Sequence, residues 1–156
     1  MCPYNTEMRD IVRKNFTDTH NYRRSQLALG KVPNKNNHYL REASDMIKLE
    51  WDCWLERNAT EYVRTCPYKE SDETERSGIG ELHARVPVEG DFKAGALAAV
   101  KRWWSIARKV SVDKCIGDDA KFGKELIGGE IKSFTQVRNY DNFVGNNYLI
   151  VVCTVA

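Results

Sequence analysis

Gly78-Ile79-Gly80-Glu81-Leu82-His83-Ala84-Arg85-Val86 alternates apolar and polar side chains from Ile79 onward, the period of a strand with one buried face. Two glycines give it a flexible entry, and Pro87 to Asp91 make the turn that follows. Helical patterns flank it on both sides. Downstream, Phe92 to Val110 places Phe92, Ala96, Val100, Trp103, Trp104 and Ala107 on one side of a helix. Upstream, Ala43 to Cys66 puts Met46, Leu49, Cys53, Thr60 and Val63 on one side, with Trp51, Trp54 and Leu55 widening it. Ser44 is its expected N-cap, and Pro67 blocks continuation.

Residues 6–29 read as a further helix whose apolar face carries Met8, Ile11, Val12, Phe16, Thr19, Tyr22 and Leu27. Gly30 is placed to cap its C-terminus, with Pro33 just beyond. Late in the chain, Ser133–Arg138 and Tyr148–Val155 are strand candidates, joined through residues 139–147. Helices first and strands late predict an α+β class, with helices packed on an antiparallel sheet.

The chain has 156 residues, 42% hydrophobic and 29% charged, which suits a single domain spanning 1–156 with one core. Its formal charge is only +2, and no stripe combines basic and aromatic residues, so nucleic acid is not an expected partner. Leu149–Cys153 is the longest apolar run and is strand-sized, well short of the roughly 20 residues that span a bilayer. Met1-Cys2-Pro3-Tyr4 leads directly into polar sequence. The chain therefore reads either as cytosolic or as numbered from a mature terminus with a methionine added.

Cys2, Cys53, Cys66, Cys115 and Cys153 are spread without a Cys-x-x-Cys pair or a histidine at zinc spacing. That pattern, with the sequons Asn15-Phe16-Thr17 and Asn58-Ala59-Thr60, favours an oxidising, extracellular setting. An odd count leaves one cysteine free or paired outside the chain.

The order of segments resembles the CAP superfamily, which includes cysteine-rich secretory proteins, venom antigens and plant pathogenesis-related proteins. His20-Asn21-Tyr22-Arg23-Arg24 is similar to that family's H-N-x-x-R segment. Cys2-Pro3-Tyr4-Asn5, Leu27-Ala28-Leu29-Gly30, Leu49-Glu50-Trp51-Asp52-Cys53, Gly78-Ile79-Gly80-Glu81, Ala99 to Trp104, Phe134-Thr135-Gln136 and Val151-Val152-Cys153 continue the resemblance in order, nearest to the nematode branch. It implies a three-layer α-β-α sandwich, secretion, and disulfides Cys66–Cys153 and Cys2–Cys53, leaving Cys115 over.

Many members of that family hold a divalent metal with two histidines and two glutamates around a central cleft. The corresponding positions here are Glu70, Glu81, Ile106 and Ser133, so only Glu81 keeps its type. Without imidazoles the set suits no transition metal and offers no histidine base, so neither a metal nor another cofactor is expected. His20 reads as a structural helix residue, His38 as solvated, and His83 as an unaided neighbour of Glu81. No Gly-x-Ser-x-Gly elbow supplies a nucleophile. The resemblance implies a secreted, non-catalytic effector that binds a host protein. Its alternative is carriage of a sterol or fatty acid, with metal-dependent hydrolysis and a purely antigenic role behind both.

Overall fold

The computed structural model describes residues 1–43, 46–76, 78–87, 92–109 and 148–155, with Phe92 and the last segment described by backbone alone. Helix α1 runs Asp10–Ala28, α2 Cys53–Val63 and α3 Phe92–Ser105, while strands β1 and β2 run Gly80–Pro87 and Tyr148–Val155. Short 3-10 turns cover Glu73–Arg76 and Ile106–Arg108.

Alpha-1 ends where Gly30 was expected to end it. Gly30 sits at φ +64, the left-handed region that glycine enters without a Cβ penalty. Its amide donates to Leu27 O at 2.9 Å and the Lys31 amide to Gln26 O at 2.9 Å, a pair of bonds that closes the orphaned carbonyls of the last turn. The inward face of α1 differs from the expected one. Val12, Arg13, Phe16, His20, Arg24 and Leu27 are buried, whereas Ile11 and Tyr22 are 53% and 61% exposed. Arg13 and Arg24 take the inner stripe because Glu56 and Ile47 O meet them from other parts of the chain, and His20 joins them with Nδ1 bonded to Phe16 O of its own helix.

Alpha-2 is shorter than its hydrophobic pattern. Residues 46–52 are not helical, and the helix begins after Asp52, whose carboxylate accepts the Trp54 and Leu55 amides at 2.8 Å each. Such a cap is worth about 1 kcal/mol. Ser44, the expected cap, lies outside the described residues. Residues 46–50 are held instead by α1: Asn21 donates from Nδ2 to Leu49 O (2.9 Å) and accepts the Leu49 amide at Oδ1 (2.8 Å), and Arg24 donates to Ile47 O (2.7 Å). The loop between Asn34 and Tyr39 is organised by buried Asn34, whose Oδ1 accepts the Asn36 and His38 amides.

Beta-1 pairs with β2 from Gly80↔Tyr148 to Pro87↔Val155, and the two strands run parallel. An antiparallel sheet was expected; for this pair the direction is reversed. Alternation along a strand carries no information about direction. The intervening chain includes α3 and is long enough for the crossover that parallel strands require. The other strand candidate, Ser133–Arg138, lies outside the described residues.

Leu82, Ala84 and Val86 of β1 join Val100, Trp103 and Trp104 of α3 and Phe16 and Leu27 of α1 in one core. Each large apolar side chain there contributes roughly 1.5–3 kcal/mol of burial. The Trp103 indole donates to His83 O at 3.2 Å, fixing α3 on the strand. Alpha-2 lies against β2 and packs Leu55 with Ala59, Tyr62, Val63 and Ile79 in a second cluster. A disulfide joins Cys2 to Cys53, with Cα atoms 5.5 Å apart, so the N-terminus is stapled to the start of α2.

Candidate functional site

The expected cleft positions do not assemble into an ion site. Glu81 is fully buried on β1, and its carboxylate is already taken. It accepts the Ser71 amide at 3.1 Å and the Ser71 hydroxyl, and Arg76 Nε stands 3.5 Å away. Arg76 is in turn anchored on Ile79 O at 2.8 Å. A buried carboxylate needs this compensation, and Arg76 supplies it from the charged stretch that follows Lys69. Glu70 is partly buried, and Ile106 packs on the core as an apolar side chain. Ser133 lies outside the described residues. His83 follows Glu81 on the strand, but its Nε2 is buried without a partner. Among the described residues no cluster of three metal-ligating side chains occurs.

Segment 68–76 also carries an exposed contact. Tyr68 is 87% exposed, and the Arg85 guanidinium lies 3.9 Å from its ring centre. Together with Ser71 and Arg76, it fixes this segment over the face of β1 opposite the α3 core.

His20 lies deep in α1, against the Phe16 ring at 4.6 Å and near Trp103 at 6.5 Å. Its Nδ1 is 3.0 Å from Phe16 O, an atom that only accepts, so Nδ1 carries the ring proton. Burial pushes its pKa down to about 4; the Phe16 carbonyl opposes that shift and the Arg24 charge adds to it. A folded pKa below the unfolded value means stability is complete above about pH 6.5 and falls as the pH drops toward 4. We expect a loss of about 3 kcal/mol by pH 4 from this group. Urea midpoints measured from pH 7 to 4 should show the decline, and His20→Gln should flatten it. An unchanged slope in that variant would assign the acid sensitivity elsewhere.

Two hollows flank α2. One, about 230 Å3, lies between α1 and α2 and is walled by Val12, Phe16, His20, Trp51, Leu55 and Val63 among others. Behind it, Arg13 and Glu56 form a buried double hydrogen bond, Nε to Oε2 at 2.8 Å and Nη2 to Oε1 at 2.6 Å. Trp51 donates to the same carboxylate at 2.6 Å. Sequence reading found neither this pair nor the clamp made by Asn21 and Arg24. The second hollow surrounds the Cys2–Cys53 staple and is lined by Tyr4, Trp54 and Arg57. Trp54, expected as packing, is 51% exposed, and Tyr4 is 97% exposed.

These features define a disulfide-braced α+β domain whose remaining cleft carboxylate is neutralised by its own chain. The model of the cysteine-rich secretory protein family, CAP, matches residues 17–156, and the chain belongs to that family. Its relatives are nematode proteins. It is 32% identical over 112 residues to an Ancylostoma secreted protein of Ancylostoma caninum, a match covering 71% of this chain and 26% of that one. The chain thus matches about a quarter of that curated relative's length. Among solved structures, BmVAL-1 superposes with a TM-score of 0.75 at 27% identity, covering 88% of this chain and 66% of that one. Na-ASP-1 gives 0.69 at 26% identity, covering 88% and 34%. The three-layer CAP fold expected from the sequence is therefore shown. No helix among the described residues is long and apolar enough to cross a membrane.

Proposed function

We propose that this domain is a secreted effector that binds a host protein through the surface around the Cys2–Cys53 staple, without catalysis. The observation that carries this is the grouping of exposed Tyr4 and Trp54 with Arg57 on a braced support. Trp, Tyr and Arg dominate binding hot spots, and a rigid base lowers the entropy lost on docking. Family membership, an extracellular-type disulfide and a relative named as a secreted protein support secretion. Asn15 and Asn58 are partly exposed on α1 and α2, consistent with glycans at both sequons. Cys66 is also disulfide-bonded, to a partner outside the described side chains, and Cys153 is proposed for it.

Affinity capture from host plasma and leukocyte membranes tests this reading. We expect sub-micromolar binding of one protein, and Tyr4→Ala/Trp54→Ala should weaken it at least about thirtyfold, the loss of one hot spot. Equal capture by wild type and variant would overturn the surface assignment. The cavity between α1 and α2 favours a second reading, carriage of a small apolar ligand such as a lipid. Lipid extraction from purified protein tests that separately, and an extract free of stoichiometric lipid would count against it.

A further inference from the structure

Ile11, Tyr22 and Trp54 are the large apolar side chains that the helices leave exposed among the described residues. Two of these three stand four residues before the asparagine of a sequon: Ile11 before Asn15-Phe16-Thr17, and Trp54 before Asn58-Ala59-Thr60. Residues four apart on a helix are neighbours on one face, with Cβ atoms roughly 5–6 Å apart. Ile11, Asn15 and Asp18 share a side of α1 away from buried Val12, Phe16 and His20. Trp54, Asn58 and Glu61 share a side of α2 away from buried Leu55 and Glu56. No hydrogen bond among the described residues engages either side-chain amide, and neither amide is a buried orphan, so both nitrogens meet solvent.

Direction follows from helix geometry. A helical side chain leans toward the N-terminus, over the turn before its own Cα. A group attached at the asparagine Nδ2 is therefore delivered over the preceding turn, about 5.4 Å along the axis. Ile11 and Trp54 stand on that turn. The ring of a sugar presents C–H groups on one face, which suit an indole face or a branched alkyl group otherwise left in water.

We propose that N-linked glycans at Asn15 and Asn58 lie back along their helices, the first sugar of each covering the exposed apolar side chain one turn earlier, Ile11 and Trp54 respectively. Attachment forms a bond from Nδ2 to the anomeric carbon of a lipid-pyrophosphate-linked oligosaccharide. The bond from that carbon to the pyrophosphate oxygen breaks, the lipid pyrophosphate leaves, and the amide proton passes to a base. Transfer belongs to the unfolded chain, because in the folded one the Thr17 and Thr60 hydroxyls donate to Arg13 O (3.0 Å) and Glu56 O (2.9 Å) within finished helices. On α2 the sugar stands on the C-terminal side of Trp54. The hollow at Tyr4 and the staple, which Asn58 does not line, stays open to a protein partner. The inference rests on the reading of a secreted chain with occupied sequons and adds where the sugars lie.

Wild type, Asn15→Gln and Asn58→Gln, produced by eukaryotic secretory cells, test it through sequon occupancy and hydroxyl-radical labelling read by peptide mass spectrometry. Asn58→Gln should raise labelling of Trp54 about twofold, as uncovering one of two ring faces implies, with Ile11 unchanged. Asn15→Gln should raise Ile11 and leave Trp54 alone. Exposed Tyr4 and Tyr68 report folding and should label equally in all three. Trimming wild type with an endoglycosidase that leaves the first sugar should keep both side chains protected; protection lost on trimming would refute the first sugar's part. Occupied sequons with labelling unmoved by either variant, or raised at both positions by one variant, would overturn the placement while leaving secretion and glycosylation standing. Secreted protein with a bare sequon would overturn the inference on that helix, and host-protein docking, read separately by capture, would be untouched.

Discussion

Glu56→Ala is expected to destabilise the domain by about 3–5 kcal/mol, the range for removing one partner of a buried ion pair. The side chains of Arg13 and Glu56 are 3% and 2% exposed. Without the carboxylate, a guanidinium stays buried with only Asp10 at 2.5 Å and Asn5 O at 2.5 Å to compensate it. The Trp51 indole also loses its acceptor. Domains of this size unfold at about 5–15 kcal/mol, so the variant would keep only part of its stability. Urea unfolding at pH 7 gives the number. The double variant Arg13→Met/Glu56→Leu should recover most of the loss, since an apolar replacement leaves no uncompensated charge. A double variant as unstable as the single one would show that packing, rather than the stranded charge, sets the cost.

Opening the Cys2–Cys53 bridge is expected to cost about 4 kcal/mol in the chain-entropy account for a sequence separation of 51. Cys2→Ser/Cys53→Ser, compared with wild type by thermal unfolding, reads it directly. The effect should not add simply to that of Glu56→Ala. Asn5 donates to Cys53 O at 2.8 Å while its own carbonyl accepts from Arg13, so staple and ion pair share the same stretch of backbone. We expect the combined loss to fall short of the sum by more than about 0.5 kcal/mol. Strict additivity would mean that the N-terminal segment stays docked without its disulfide.

Continuous patterns were legible in the sequence. The strand at Gly80–Pro87 follows a period of two and Tyr148–Val155 is a nearly unbroken apolar run of strand length, while the helix from Phe92 was read to Val110 and ends at Ser105, where a 3-10 turn takes over. Gly30 was legible because a helix C-terminus leaves a conformational demand that glycine meets. Alpha-1 was half legible: periodicity located the helix but could not place Arg13 and Arg24 inside, because Glu56 and Ile47 O come from distant chain. Met46, Leu49 and Cys53 fall at helical spacing, yet Met46 and Trp51 reach the core from non-helical backbone that α1 holds in place. Glu81 was picked out by resemblance, but its neutralisation by Arg76 lay in a charge run where surface and interior arginines look alike. Nothing in apolar spacing could announce the exposed Trp54, since a helix of this length offers the same heptad positions to an interface as to a core.

The Asn21 clamp sets a condition on the stretch it grips. Residues 46–50 contribute no regular ladder of their own, and one side-chain amide supplies both partners of Leu49. Their order is borrowed from two turns of a neighbouring helix, so fraying of those turns would expose the Leu49 amide to deuterium and the adjoining peptide bonds to proteases together. Leu49 is thereby a built-in gauge of helix integrity, readable at a single amide.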